Sequence, residues 1–383
     1  MEVWPFIPQR DFTESLEWFT EVMRCKGAEQ RLALRPQARQ GHMFEYLLDE
    51  QQLARAKSLA RFCSAQEVLV PGWESMTRLG AVPFGTSVLT FDTTFSPYRE
   101  GGQVIVLQAD DHYEVRTVDA LAEDGITLSA PLGRSYGLAF VMPLRPSRFA
   151  QDFDATRGTN PLTRAQGRFV TTDVYSLEGL GLAPDYPVYM GYDVLTDRTV
   201  LISSVRERYV RESTEFDNQL GVLWADAEYK YPIQTSQLSW SIDDRQRLWA
   251  IRAWLDERRG KWRGFWMPSW NLDFILTAPT LVTDDTMTVR NTDYRLYEGV
   301  RDIMILTTSG NTYFRRVISA APGILGTEVL TLSAPIGVAL DPAQVQAICL
   351  LTFTRLDADR VEIRHRAAKG ADIMIPVMEA PIP

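Results

Sequence analysis

Three acidic doublets, Asp110-Asp111, Asp243-Asp244 and Asp284-Asp285, are the residues from which a hydrolytic site would be built. Paired carboxylates divide acid and base roles when their surroundings push their pKa values apart. Each doublet also has a local reason to exist. The first and third fall at expected turns, where Asp bonds its own backbone. The second falls at an expected helix start, where Asp caps free N–H groups. The histidines His42, His112 and His365 sit on different elements with no spacing of a ligand pair. Cys25, Cys63 and Cys349 are scattered and form no C-x-x-C, which argues against a zinc site or a disulfide framework. No G-x-S-x-G, H-E-x-x-H, P-loop or G-x-G-x-x-G occurs. The sequence therefore assigns no catalytic residue, no metal site and no cofactor, and the expectation is a protein that is not an enzyme.

Binding chemistry has more to work with. Trp240, Trp249, Trp254, Trp262, Trp266 and Trp270 crowd one stretch of a chain that has 10 tryptophans. They suit either a stacking platform for sugars or bases, or a large core with a subunit interface. Helical spacing puts Trp254 on the apolar face and Trp249 beside it, open to a partner. Trp266 is a further interface candidate. In KGAEQRLALRPQAR, alternation over Arg31-Leu32-Ala33-Leu34-Arg35 reads as a strand with Arg31 and Arg35 outward. No aromatics interleave with these bases, so an acidic protein neighbour suits them better than nucleic acid.

The elements that position these residues come in two copies. Residues 96–133 contain SPYREGGQVIVL, HYEVRTV and ITLSAPLG; residues 295–337 contain RLYEGVRDIMIL, TYFRRVI and LTLSAPIG. Tyr98 matches Tyr297, Val104 matches Ile303, Tyr113 matches Tyr313, and Val118 matches Val317. Upstream, YLLDEQQLARAKSLA resembles WSIDDRQRLWAIRAWL. Asp49 with Gln52, and Asp243 with Gln246, predict a helix N-cap of capping-box type in each copy. Leu53, Ala56, Leu59 and Ala60 form one apolar stripe; Leu248, Ile251, Trp254 and Leu255 form the other. A P-x-W follows each helix, so Trp73 and Trp270 are expected at equivalent core positions beside it. So many features in one order point to an internal repeat.

At 383 residues, about two to three domains are expected. An apolar fraction of 45% and a charged fraction of 23% are those of a globular chain. No apolar run reaches transmembrane length, and MEVWPFIPQRDFTE lacks the apolar core of a signal peptide. A net charge of −9 argues against a nucleic-acid-binding surface, and would suit a channel wall that lets DNA slide past. The expected boundaries are a first β-rich repeat over 1–150, with an inserted β-domain at about 84–135. A linker or exposed loop follows over 151–187, and then a second repeat over 188–369, with its insert at about 278–340. Residues 370–383 read as an extended arm on a neighbour or as a frayed tail. Strands are expected at PVYMGYDVL and TVLISSV, and 208–240 echoes 10–46, with Glu215-Phe216 opposite Glu17-Trp18.

The W-P opening followed by an acidic helix and then EQRLALR, and the run from FWMPSW to Asp273, resemble tail-tip (baseplate) proteins of long-tailed bacteriophages, of the distal tail or hub type. The resemblance implies a mainly β, β-rich α+β fold. It would comprise two tandem tail-tube-like β-sandwich or barrel units, each with one flanking helix and an inserted small β-domain. It implies a structural ring that joins the tail tube protein to the hub and tip-fibre proteins and lines the DNA-ejection channel. Such a protein is assembled in the host cytoplasm and carried in the virion tail. A trimer with pseudo-six-fold symmetry is the expected ring, and a plain hexamer the other arrangement. Specific nucleic-acid binding and a membrane span are not expected. A receptor- or carbohydrate-binding tail protein is the alternative function. Some hub proteins hold an iron–sulfur cluster on C-terminal cysteines; only Cys349 lies there, so that cluster is not carried over.

Overall fold

The structure is a computed structural model. It describes the chain except residues 10, 26–27, 151–152, 159–160, 174–176, 178–179, 198–206, 212, 218, 220, 222–223, 228–231, 297–300, 367–369 and 383. The expected strand TVLISSV and the match at Tyr297 lie outside the described residues. The fold is mainly β, with antiparallel pairing and two α-helices among the described residues. No helix is long and apolar enough to cross a membrane among the described residues.

The first half runs β1 (Phe12–Cys25), β2 (Ala28–Leu48), α1 (Glu50–Phe62), β3 (Val68–Pro71), β4 (Thr77–Leu79), β5 (Val88–Thr90), β6 (Gln103–Ala109), β7 (His112–Ala122), β8 (Gly125–Leu128), β9 (Ala139–Phe149), β10 (Asp154–Thr156) and β11 (Thr163–Thr171). A short ribbon, β12 (Val188–Tyr189) with β13 (Tyr192–Asp193), leads into the second. That half runs β14 (Arg208–Val210), β15 (Ser213–Phe216), β16 (Trp224–Ala227), β17 (Ile233–Ile242), α2 (Arg245–Arg258), β18 (Phe265–Pro268), β19 (Thr286–Arg290), β20 (Arg301–Thr307), β21 (Thr312–Pro322), β22 (Thr327–Leu332), β23 (Val345–Leu356), β24 (Arg360–His365) and β25 (Ala371–Glu379).

Strand pairing in the second half follows that in the first. The last strand residue before each helix meets the first residue of a later strand, Leu48 with Thr163 and Ile242 with Ala371. The proline-ended strand after each helix lies on a long partner, Pro71 on Leu144 and Pro268 on Leu351. Val104 sits between Arg116 and Pro143, as Ile303 sits between Arg315 and Leu350. The irregularities agree too. Register slips between Val118 and Ala120 in β7–β8, and between Val317 and Ser319 in β21–β22. A slip re-aims every following side chain, so a matching slip marks a matching core. The TLSAP turns are stapled alike: Arg116 donates to the Pro131 carbonyl at 3.2 Å, and Arg315 to the Pro335 carbonyl at 2.9 Å.

Four sequence expectations change here. The acidic helix expected between the W-P opening and EQRLALR is instead strand β1, paired with β2 from Thr13 opposite Met43 to Cys25 opposite Ala28. Tyr113 pairs with Leu107, but Tyr313 pairs with Ile305, the counterpart of Val106. The two tyrosines are therefore one residue out of register and face opposite sides of their sheets, toward Ile105 and Leu107 for Tyr113 and toward Met287 and Ile305 for Tyr313. Within the expected linker, β11 is a central strand between β2 and β9. Its inward residues Thr163, Ala165 and Gly167 are small, which hides the alternation. Residues 371–379 are β25, paired with β17, β23 and β24, not an arm on a neighbour. Ile373, Ile375 and Val377 point into the core, while an outward Met374 and Pro376 erase the contrast between faces.

The two halves are joined edge to edge. Beyond its hairpin with β2, β1 pairs with β24, from Phe12 opposite His365 to Glu17 opposite Arg360. One sheet thus runs β9–β11–β2–β1–β24–β25–β17–β14.

Candidate functional site

The seam between the halves holds a group of buried charges. Glu14 stands in the inward row of β1 with Leu16 and Trp18, and is fully buried. Its carboxylate accepts from the guanidinium of Arg252 on α2, from Gln40 at 2.7 Å, and pairs with His365 Nε2 at 2.8 Å. His42, opposite Glu14 on β2, reaches Glu74 at 3.5 Å. That contact is ionic only with His42 protonated, and neither His42 Nε2 nor Glu74 Oε2 completes a hydrogen bond among the described residues. Phe12 stacks on His365 at 4.6 Å, and Phe44 on His42 at 5.6 Å.

Burial alone would raise the Glu14 carboxyl. The charge of Arg252, the hydrogen bond from His365 and the nearby histidine charges outweigh it and hold Glu14 well below the usual carboxylate range. Burial opposes, and His42 favours, the same lowering at Glu74. Glu14 is thus ionised with both oxygens engaged. That suits a structural tie between halves better than a general base, which needs a free lone pair facing substrate.

Beside the seam lies a cleft of about 500 Å³. Phe12, Trp73, Leu107 and Phe140 wall it from the first half, and Leu248, Trp249, Arg245 and Arg366 from the second.

The sequence candidates land as follows. Asp49 caps α1 in a full capping box, accepting from Gln52 N–H at 2.8 Å while the Gln52 side chain accepts from Asp49 N–H at 3.0 Å. Asp243 is not the cap of α2. Asp244 fills that role, accepting from Arg247 N–H at 2.9 Å, while Asp243 pairs with Arg366 at 2.8 Å. The doublet offers two caps, and the helix starts on the second; its N3 residue is then Arg247, a donor that cannot close the box.

Trp73 is buried in the cluster that holds Leu53 and Ala56 of α1. Trp270 is half-buried at φ 60° and packs around Trp266 and Phe353, away from α2. Trp249 is buried, against Leu177 and Ala253, with Arg252 over its ring at 5.5 Å. Trp266 is buried and donates to the Tyr189 carbonyl at 2.9 Å. Trp240 and Trp254 meet edge to face at 6.0 Å in the second core. The tryptophan group is therefore largely core.

Arg31 and Arg35 point the opposite way from expectation. Arg31 turns inward beside Glu29 at 3.6 Å, and Arg35 donates to the Glu17 carbonyl at 3.0 Å. Leu32 and Leu34 are the outward residues, 51% and 46% exposed, on one ribbon face with Phe19 and Met23. Of the acidic doublets, Asp110 accepts from Arg55 at 2.8 Å, and Asp284 from Leu281 N–H at 2.8 Å, both in turns.

The seam group escaped the sequence reading because Arg252 and His365 lie hundreds of positions from Glu14. The available signal was Glu14 itself, an acid in the apolar row of a strand. No group of three or more His, Cys, Asp or Glu that could hold a metal ion occurs among the described residues. No family model matches the chain, and no curated protein matches it.

Proposed function

We propose that the chain is a structural ring subunit of a long-tailed bacteriophage tail tip, of the distal tail or hub type. On this reading each half is a tail-tube-like β-sandwich or barrel flanked by α1 or α2. The strands β5–β8 and β19–β22, each with its own apolar cluster, are the inserted small domains. Three copies supply six similar units to the tail tube above and a three-fold platform to the hub or tip fibres below. The −9 balance suits a wall along which DNA slides.

The observation that carries the reading is the β1–β24 seam. It joins two units of matching pairing pattern side by side in one sheet, the relation that neighbouring subunits of a ring bear to each other. The carbohydrate-binding alternative would use exposed tryptophans and the inserted β-domains; Trp240, Trp249, Trp254 and Trp266 are buried, while Trp224 is 60% exposed.

Counting chains per ring in images of the particle tests the proposal. Three copies are expected, six would replace the trimer by the hexamer, and a soluble monomer absent from any ring would sink both. Glycan binding by the isolated chain would favour the alternative. Tight, salt-sensitive DNA binding would count against the channel role.

A further inference from the structure

The first hairpin has a seat, and the second lacks one in this chain. The inner face of β1–β2 lies on the second half. Arg355 donates to Glu29 at 2.6 Å, and Asp359 accepts from Thr20 N–H at 2.9 Å. The second hairpin, β14–β17 with its tip β15–β16, pairs likewise, and nothing among the described residues covers it. All four residues of β15 are exposed, and Phe216 and Trp224 at the tip are 56% and 60% exposed. A two-stranded ribbon without cover is marginal in water.

The matching seat is uncovered as well among the described residues. Arg148 pairs with Val170 as Arg355 pairs with Met378. Val170 and Met378 stand at equivalent places in β11 and β25, so Arg148 is the counterpart of Arg355. Arg355 is 1% exposed under the first hairpin, and Arg148 is 64% exposed. The outer edges of β10 and β14 carry no strand among the described residues. Their counterparts, β24 and β1, pair with each other.

Register carries the correspondence to single residues. Ser15 pairs with Gly41 and Arg208 with Thr235, equally far before Leu48 and Ile242, so Arg208 is the counterpart of Ser15, and Val210 rather than the expected Glu215 is the counterpart of Glu17. Ala155 pairs with Ala165 as Ile363 pairs with Ile373, which makes Asp154 the counterpart of Glu362. Within the chain, Ser15 stands opposite Glu362.

We propose that β14 of one chain pairs antiparallel with β10 of a second copy, Arg208 opposite Asp154, repeating the β1–β24 seam between chains. The second hairpin then lies over Arg148 of that copy, as the first lies over Arg355. The facing Arg and Asp are of opposite charge, which favours this register over a slip. The interface joins unlike edges, so it runs head to tail and ends only by closing a ring. The closure rests on the ring reading above; the strand pairing does not.

Cysteine crosslinking of the full chain tests this. Directly opposed Cα atoms lie about 4.5–5.5 Å apart, within disulfide reach. An Asp154→Cys, Arg208→Cys double variant is oxidised at rising protein concentration and run on non-reducing gels. A covalent ladder ending in a closed trimer is expected, with neither single variant giving one. Equal linking by Thr156→Cys with Arg208→Cys would overturn the register. Absence of interchain links at every concentration, or in chains that images show assembled, would overturn the pairing. In the assembled case the ring reading would still stand. Links at the expected pair with no closed ring in any image would support the pairing and sink the ring.

Discussion

Helices α1 and α2 begin from matching sequences and end in different surroundings. Leu53 N–H bonds to Asp49 and Leu248 N–H to Asp244, which aligns Leu59 with Trp254 and Lys57 with Arg252. In α1 only Leu53 and Ala56 are buried. In α2 burial extends nearly all round, taking in Arg252, Asp256 and Arg258. One face of α2 covers its own sheet through Ile251, Trp254 and Leu255. The other face meets the first half: Arg252 holds Glu14, and Asp256 accepts from Leu177 N–H at 3.0 Å. Arg258, also buried, pairs with Asp193 at 2.7 Å. The comparison teaches that a helix's burial here depends on what lies beyond its own repeat. Charges enter the covered face only with partners, as desolvation requires.

The largest expected break in the comparison is at the aligned core position. Trp254→Ala should cost about 3 to 5 kcal/mol in urea unfolding, and Leu59→Ala, half-buried, about 1 to 2. Equal losses would mean that α1 is covered in solution as α2 is. Next comes the seam. Arg252→Met leaves Glu14 buried without its cation and should cost about 3 kcal/mol, while Lys57→Met should change stability by under about 0.5. Adding Glu14→Gln to Arg252→Met should recover part of the loss; no recovery would place the cost in lost Arg252 packing instead.

Acid sharpens the same point. The folded-state pKa of both Glu14 and Glu74 is depressed, so their contribution is fully present above the unfolded value, about 4.3, and is lost as pH falls through the folded values. Thermal unfolding followed from pH 7 downward should show stability falling below about pH 4, with a shallower fall in Glu14→Gln. An unchanged slope in that variant would exclude Glu14 as the source. The smallest effects are at the caps. Asp49→Ala and Asp244→Ala should each cost about 1 kcal/mol. Asp243→Ala, at an exposed pair, should cost no more than about 0.5. A larger loss at Asp243 than at Asp244 would reverse the cap assignment.

What the sequence revealed was local. The succession of strands, the α1 capping box and the apolar helix stripes rest on spacings of a few residues, the repeat on matching such short segments across the chain, and the pairing follows them. Alternation supplied the period of the Arg31–Arg35 strand but not its phase, so arginines and leucines exchanged sides. Strands β11 and β25 were illegible because small residues in one and outward apolar residues in the other blurred the two faces. The seam was illegible for a different reason. Glu14, His42, Arg252 and His365 meet through a pairing between the first and last parts of the chain, which no local pattern encodes.

The leucine-bearing face of the first hairpin carries a salt response of its own. Phe19, Met23, Leu32 and Leu34 present hydrocarbon to water on a chain of net charge −9. Added salt screens the mutual repulsion of such chains, and sulfate or phosphate strengthens contacts between hydrocarbon surfaces. Any contact made through this face would tighten as ionic strength rises, opposite to a contact with a phosphate backbone or to the facing charges of Arg208 and Asp154.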